Sequence, residues 1–189
     1  RGEFTTNIIK DVGISNVVSA GCPSLMINSN KNLGGHIMKK MNVNNFKRIA
    51  FGIHDIMTEH SKHVIKLCKK YDGMIILQEN LDVLKLSRDH VSVPAIKYIY
   101  LKFYTDVFES LHEFELFIMN HTIFFNNVPK WLEYLSHFDC YIGLKIHGAI
   151  SGLMSGIMSV CLVHDNRLFE LVKECHIPYI FAEQFMKYD

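Results

Sequence analysis

Short apolar runs recur along the chain, each closed by polar residues and followed by a stretch with helical spacing. Arg48–Ile53, Gly73–Leu77, His121–Phe125, Asp139–Leu144 and Met158–Val163 have strand length and little inside–outside alternation. That is the signature of strands buried on both faces. Thr58–Tyr71 sets Val64, Ile65, Leu67 and Cys68 on one helical face and lysines on the other. Leu81–Ser87, Glu113–Met119, Val128–His137, Ala149–Ser155 and Leu168–Cys175 also read as helices or helix ends, and Pro178 launches a last short strand. Val91–Glu109 has mixed periods and admits helix or strand. Strands alternating with helices of this length predict an α/β fold, a Rossmann-like parallel sheet of five or six strands with helices on both faces.

The front of the chain fits this rhythm less well. Thr5–Val12 has the pattern of a short amphipathic helix ended by Gly13, and Val17–Ala20 reads as a strand running into Gly21-Cys22-Pro23-Ser24. Asn28–Asn45 is rich in Asn, Gly and Lys and reads as a linker, with Asn42–Asn45 as the lead-in to the sheet. A domain boundary is therefore expected there.

Composition narrows the function classes. Nearly half of the 189 residues are apolar (49%), enough for a substantial core, and 20 basic against 19 acidic residues leave a net charge of +1. Without a basic run, nothing argues for nucleic acid or an anionic membrane surface. No apolar stretch approaches the roughly 20 residues of a membrane span. The five cysteines are odd in number, form no C-x-x-C and lie mostly in apolar runs, which suits reduced thiols in a cytoplasmic protein. Of the 11 histidines, only His60 and His63 have a ligand-like helical spacing, with no third ligand at a recognisable offset. No metal site is expected. Neither G-x-G-x-x-G nor G-x-x-x-x-G-K-[ST] occurs, so the dinucleotide and P-loop fingerprints are missing.

The candidate chemistry gathers after strand ends. Lys145-Ile146-His147-Gly148 puts a cation, an imidazole, a glycine and a helix start together, which makes a cradle for an anion. In open α/β sheets, ligands bind beyond the carboxyl ends of the strands where strand order reverses. Lys145, His147, Asp165 and Arg167 all fall just after such ends, as do His54, Asp55, Gln78, Glu79 and His164. A merely polar βα loop is the alternative. Asp165 doubles as an N-cap for the following helix, and Arg167 pairs either with a ligand carboxylate or with Glu170 one turn on, the structural pairing being favoured. Trp131 reads as core.

Asp139-Cys140-Tyr141-Ile142-Gly143-Leu144-Lys145-Ile146-His147-Gly148, followed by Gly156 and by Asp165-Asn166-Arg167-Leu168-Phe169-Glu170-Leu171, resembles the polysaccharide pyruvyl transferase family. The family's pattern there is approximately D-[FY]-x-I-G-x-R-x-H-G, then G-x-P-x-x-x-x-x-x-D-x-R-x-x-E-L. Arg1-Gly2-Glu3-Phe4-Thr5 and Gly21-Cys22-Pro23-Ser24 are similar to its R-G-x-x-T and G-C-P-S segments. Lys145 stands where the family has Arg, which keeps the charge but loses the bidentate fork. Met158 stands where it has Pro, and His54-Asp55 follows the first strand where an Arg would be sought.

The resemblance implies two Rossmann-like lobes of the B-type glycosyltransferase kind. Arg1–Asn30 would then be the tail of the N-terminal lobe, and Lys31–Asp189 the C-terminal lobe. It implies transfer of a pyruvyl group from phosphoenolpyruvate to a sugar or lipid-linked oligosaccharide as a ketal, releasing phosphate, with no cofactor. His147 becomes the acid or phosphate ligand. Lys145, Ile146, Gly148 and Arg167 bind the donor, and His54, Asp55, Glu79, His164 and Asp165 line the cleft. The implied setting is the cytoplasm or the inner membrane face, and a homo-oligomer is left open. A nucleotide-sugar glycosyltransferase of the same shape and a non-catalytic lobe stay as alternatives.

Overall fold

The computed structural model describes residues 2–41 and 46–188; the lead-in expected at Asn42–Asn45 lies outside them. One parallel sheet of six strands organises the chain: β1 (Ile49–Gly52), β2 (Met74–Leu77), β3 (Thr122–Phe124), β4 (Cys140–Gly143), β5 (Met158–Val163) and β6 (Tyr179–Phe181). Their order is β3-β2-β1-β4-β5-β6, every pair parallel. The chain builds outward from β1 to β3, returns to the other side of β1, and builds outward again. The crevice at this reversal lies between the carboxyl ends of β1 and β4.

Both faces of the sheet are covered, which is why its strands read as unbroken apolar runs. Phe51, Ile75, Ile142 and Leu162 turn toward α3 (Glu59–Lys70), α4 (Leu81–Asp89), α5 (Pro94–Ile99) and α6 (Leu111–His121). Their neighbours Ala50, Ile76, Tyr141, Cys161 and Val163 turn toward α7 (Val128–Ser136), α8 (Ile146–Met154) and α9 (Asn166–Glu174). The pleat sends successive side chains to opposite cores. At the amino end of the sheet, the Asp139 carboxylate accepts the Lys47 and Arg48 N–H groups at 2.9 and 2.8 Å, fixing β1 against β4. Those bonds, led by the one from Arg48, hold its carboxyl below the usual range.

Several expectations are corrected. Val17–Ala20 forms no strand: no neighbouring strand supplies ladder partners, and Val18 is 83% exposed. Within the expected linker, Leu33–Met41 forms helix α2 despite Gly34 and Gly35. Leu33 packs into the core around α8, and the Asn28 amide donates to the Met154 carbonyl at 2.7 Å, so tertiary contacts override the poor helix propensity of glycine. Val91–Glu109 resolves into α5 and a wide π-helical turn over Tyr100–Tyr104. Tyr100 and Tyr104 stack on Phe114, at centroid distances of 6.0 and 5.0 Å, a contact between elements that no local period encodes. A further helix, α10 (Ala182–Phe185), follows β6.

The front of the chain packs on the far helices. In α1 (Glu3–Asp11), the Thr5 N–H and hydroxyl donate to Glu170 of α9 at 2.8 and 3.0 Å. A Cβ on Gly2 would meet the Glu170 side chain at 2.5 Å. The R-G-x-x-T and D-x-R-x-x-E-L segments, at opposite ends of the sequence, are therefore two sides of one structural joint.

Candidate functional site

Helix α8 starts at Ile146, ahead of the Ala149 start expected from the sequence, because Ile146 drops into the core at 7% exposure. Lys145 thus becomes the N-cap residue, and His147 and Gly148 sit in the first turn. No side chain caps this end, so first-turn N–H groups lack the carbonyl partners that later residues have. The helix dipole adds a partial positive charge at the same point. His147 is exposed.

Beneath this turn the Tyr141 ring is fully buried. A Cβ on Gly52, Gly143 or Gly148 would collide with its hydroxyl. These three glycines, from β1, β4 and α8, let the helix start approach the sheet closely over the phenol. Among the described residues the hydroxyl has no partner at full hydrogen-bond geometry, although the Gln78 side chain lies against it; burial pushes its pKa upward and outweighs that contact.

Around the α8 start lies a cleft of about 260 Å³ lined by His54, Glu79, Lys145, His147, Asp165 and Arg167, among others. His164 also borders it. These side chains come from the ends of β1, β2, β4 and β5, so the cleft occupies the crevice at the strand-order reversal. Glu79 is its hub: one carboxylate oxygen lies 2.6 Å from Lys145 Nζ and 2.8 Å from His54 Nδ1. Burial alone would raise the Glu79 carboxyl, but the hydrogen bonds from Lys145 and His54 outweigh it and hold the pKa below the ordinary range. The His54 and His164 rings lie 5.3 Å apart, and His60 flanks His164 at 6.2 Å. Burial pushes His164 downward, toward the neutral imidazole.

The structure brings together Lys145, Ile146, His147, Arg167, His54, Glu79, His164 and Asp165, with Gly148 directly behind. Asp55 stands apart: its carboxylate accepts the Met57 N–H at 2.9 Å in the turn leading into α3. Asp165 caps α9, accepting the Leu168 N–H at 2.6 Å. The favoured Arg167–Glu170 pairing does not form among the described residues, because Glu170 turns to Thr5 while exposed Arg167 faces the cleft. Among the described residues, no group of three or more His, Cys, Asp or Glu side chains is arranged to hold a metal ion.

Trp131, read as core from the sequence, has a second role. It packs against the α8 core but also lines a second pocket, of about 270 Å³, with Gln78, Phe124, Phe125 and His147. Its position depends on how α7 returns from the sheet edge, which no local motif encodes.

A family model described as polysaccharide pyruvyl transferase matches residues 1–166. No curated protein matches the chain. A solved structure described as the glycotransferase of kitacinnamycin is similar at 14% identity and a TM-score of 0.36, over 72% of this chain and 31% of that one. The chain thus spans about a third of the length of that structure. Among the described residues, no helix is long and apolar enough to cross a membrane.

Proposed function

Because the chain belongs to the polysaccharide pyruvyl transferase family, we propose that its cleft binds phosphoenolpyruvate and serves transfer of the pyruvyl unit to two hydroxyls of a sugar. Phosphate is released and a pyruvate ketal remains. In this reading residues 1–30 close a first lobe and residues 31–189 make most of a second. The acceptor belongs to a cell-surface polysaccharide or its lipid-linked precursor. All five cysteines are free thiols, in keeping with work in the cytoplasm, at the inner membrane face where the acceptor is lipid-linked.

The observation that carries the proposal is the convergence of Lys145, the uncapped α8 start, His147 and Arg167 on one cleft at the strand-order reversal. Phosphoenolpyruvate carries a phosphate and a carboxylate, and both need cations or N–H donors. Lys145 and the first-turn N–H groups take the phosphate, and Arg167 takes the carboxylate. Binding exchanges the Glu79 carboxylate for a phosphate oxygen as the partner of Lys145.

His147 then donates a proton to the methylene carbon, which becomes the methyl group. The adjacent carbon turns electrophilic and is attacked by one sugar hydroxyl. Phosphate departs with its bonding pair, and a second hydroxyl closes the ketal. Of the two hydroxyl protons lost, one restores His147 and the other leaves with phosphate. A positioned acid of this kind is typically worth about 10²–10⁴ in rate.

Incubation of the chain with phosphoenolpyruvate and a panel of sugars, read as phosphate release, tests the proposal. Release that requires both substrates is expected. Failure of every acceptor, together with no phosphoenolpyruvate binding by calorimetry, overturns it.

A further inference from the structure

The second pocket beside α8 opens where β2 and β3 end and α7 begins, and His147 borders both it and the donor cleft. Its lining joins three aromatic rings, Phe124, Phe125 and Trp131, with the Gln78 side chain. The Gln78 amide nitrogen, which lies against the Tyr141 hydroxyl, and the Trp131 indole N–H are both buried, and among the described residues neither has a partner at full hydrogen-bond geometry. Buried donors are nearly always satisfied, and one left open calls for a water or a ligand. Here two such donors belong to side chains of a single pocket, although Trp131 has the rest of its ring packed against the core. Phe124, by contrast, is 40% exposed, an apolar surface left beside the pocket.

We propose that this pocket is a saccharide subsite that holds one pyranose ring of the acceptor, with His147 between it and the donor. An aromatic wall with a few fixed donors matches a sugar ring, which has a C–H face and a rim of hydroxyls. The hydroxyl oxygens accept from the Gln78 amide and the Trp131 indole, while the C–H face lies on the phenylalanine rings. A volume of about 270 Å³ falls just under the roughly 300–1,000 Å³ of drug-sized ligand pockets. It therefore suits a single ring rather than an oligosaccharide. No formal charge lines this pocket apart from any carried by His147, so it selects a neutral group, in contrast to the anion cradle on the other side of the histidine. The inference rests on the transferase reading for its acceptor role, but the pocket's chemistry stands independently of it.

Trp131 is the sole tryptophan, so its fluorescence reports on this pocket alone when excited to the red of tyrosine absorption. The methyl glycosides of glucose, galactose, mannose and N-acetylglucosamine are titrated into the chain, and phosphoenolpyruvate binding is measured separately by calorimetry. A saturable change in Trp131 emission with at least one glycoside is expected. Gln78→Ala should weaken that glycoside by roughly three- to tenfold, the size of one neutral hydrogen bond, and leave phosphoenolpyruvate affinity unchanged. Phe124→Ala, at a half-exposed position, should weaken it as well and guards against a folding defect in the first variant. No saturable response to any of the four glycosides overturns the subsite, as does equal affinity in the parent and both variants. Glycoside binding without phosphoenolpyruvate binding would keep the subsite and sink the donor reading; the reverse would sink only the subsite.

Discussion

Replacing Glu79 by Gln should tighten phosphoenolpyruvate binding. In the structure this carboxylate holds Lys145 Nζ at 2.6 Å and His54 Nδ1 at 2.8 Å, the positions an incoming phosphate must share. A donor oxygen bound to Lys145 would lie on the order of 5 Å from Glu79. Repulsion per unit charge at that distance is ~0.8 kcal/mol in water and ~3 kcal/mol at an effective dielectric of about 20. The Glu79 side chain is 45% exposed, which weights the balance toward the aqueous figure, about 1 kcal/mol. The opposing loss is the tether on Lys145, and half-exposed ion pairs are worth only about 0–1 kcal/mol. Because the donor carries more than one negative charge, repulsion wins, and roughly fivefold tighter binding is expected by calorimetry at low salt. The gain should shrink as salt is added. Weaker binding by Glu79→Gln would refute the reasoning and would mean that Glu79 positions Lys145 or touches the donor itself. The same pair sets a pH dependence. With its folded pKa held below the ordinary glutamate value of 4.5, the Glu79 contribution to stability is present above that value and is lost as pH falls through the lowered pKa.

Lys145→Ala should weaken phosphoenolpyruvate by roughly ten- to a hundredfold, the worth of a charged hydrogen bond, whereas Lys145→Arg keeps or improves affinity through its paired donors; unchanged binding by the alanine variant would place the lysine outside the site. Tyr141→Phe should raise stability in urea by about 1 kcal/mol, because it removes a buried hydroxyl without a partner at full hydrogen-bond geometry. A loss of similar size would mean that the contact with the Gln78 side chain acts as a full hydrogen bond. Asp165→Ala should cost about 1 kcal/mol of stability through the lost α9 cap and leave donor affinity nearly unchanged; collapse of donor binding would instead make Asp165 a ligand contact.

The parallel sheet was legible because each strand is buried on both faces and so announces itself as an apolar run. Met158–Val163 has the same bounds in the sequence pattern and in the structure. The candidate cleft was legible for a related reason: residues after strand ends converge whenever the sheet is parallel, which brought Lys145, His147 and His54 to one place. Strand order was not legible, since nothing local in β4 says that it returns beside β1. The strand expected at Val17–Ala20 failed because a short run of residues cannot supply a neighbour to pair with. Glu79 as hub and Tyr141 under its three glycines depend on contacts between β1, β2, β4 and α8. Arg167 and Glu170 satisfied a spacing rule, yet the Thr5 N–H and hydroxyl supplied Glu170 with partners that helix periodicity cannot anticipate.

The central claim is that the start of α8 is the phosphoenolpyruvate site, and amide chemical-shift mapping of the ¹⁵N-labelled chain during titration with phosphoenolpyruvate tests it most directly. The account predicts the largest shifts at Lys145 through Ile150, with smaller ones at Glu79 and at Asn166 through Leu168. Shifts confined to the pocket between α1 and α9 lined by Phe4, Phe169 and Lys173, or no shifts at all, would contradict it.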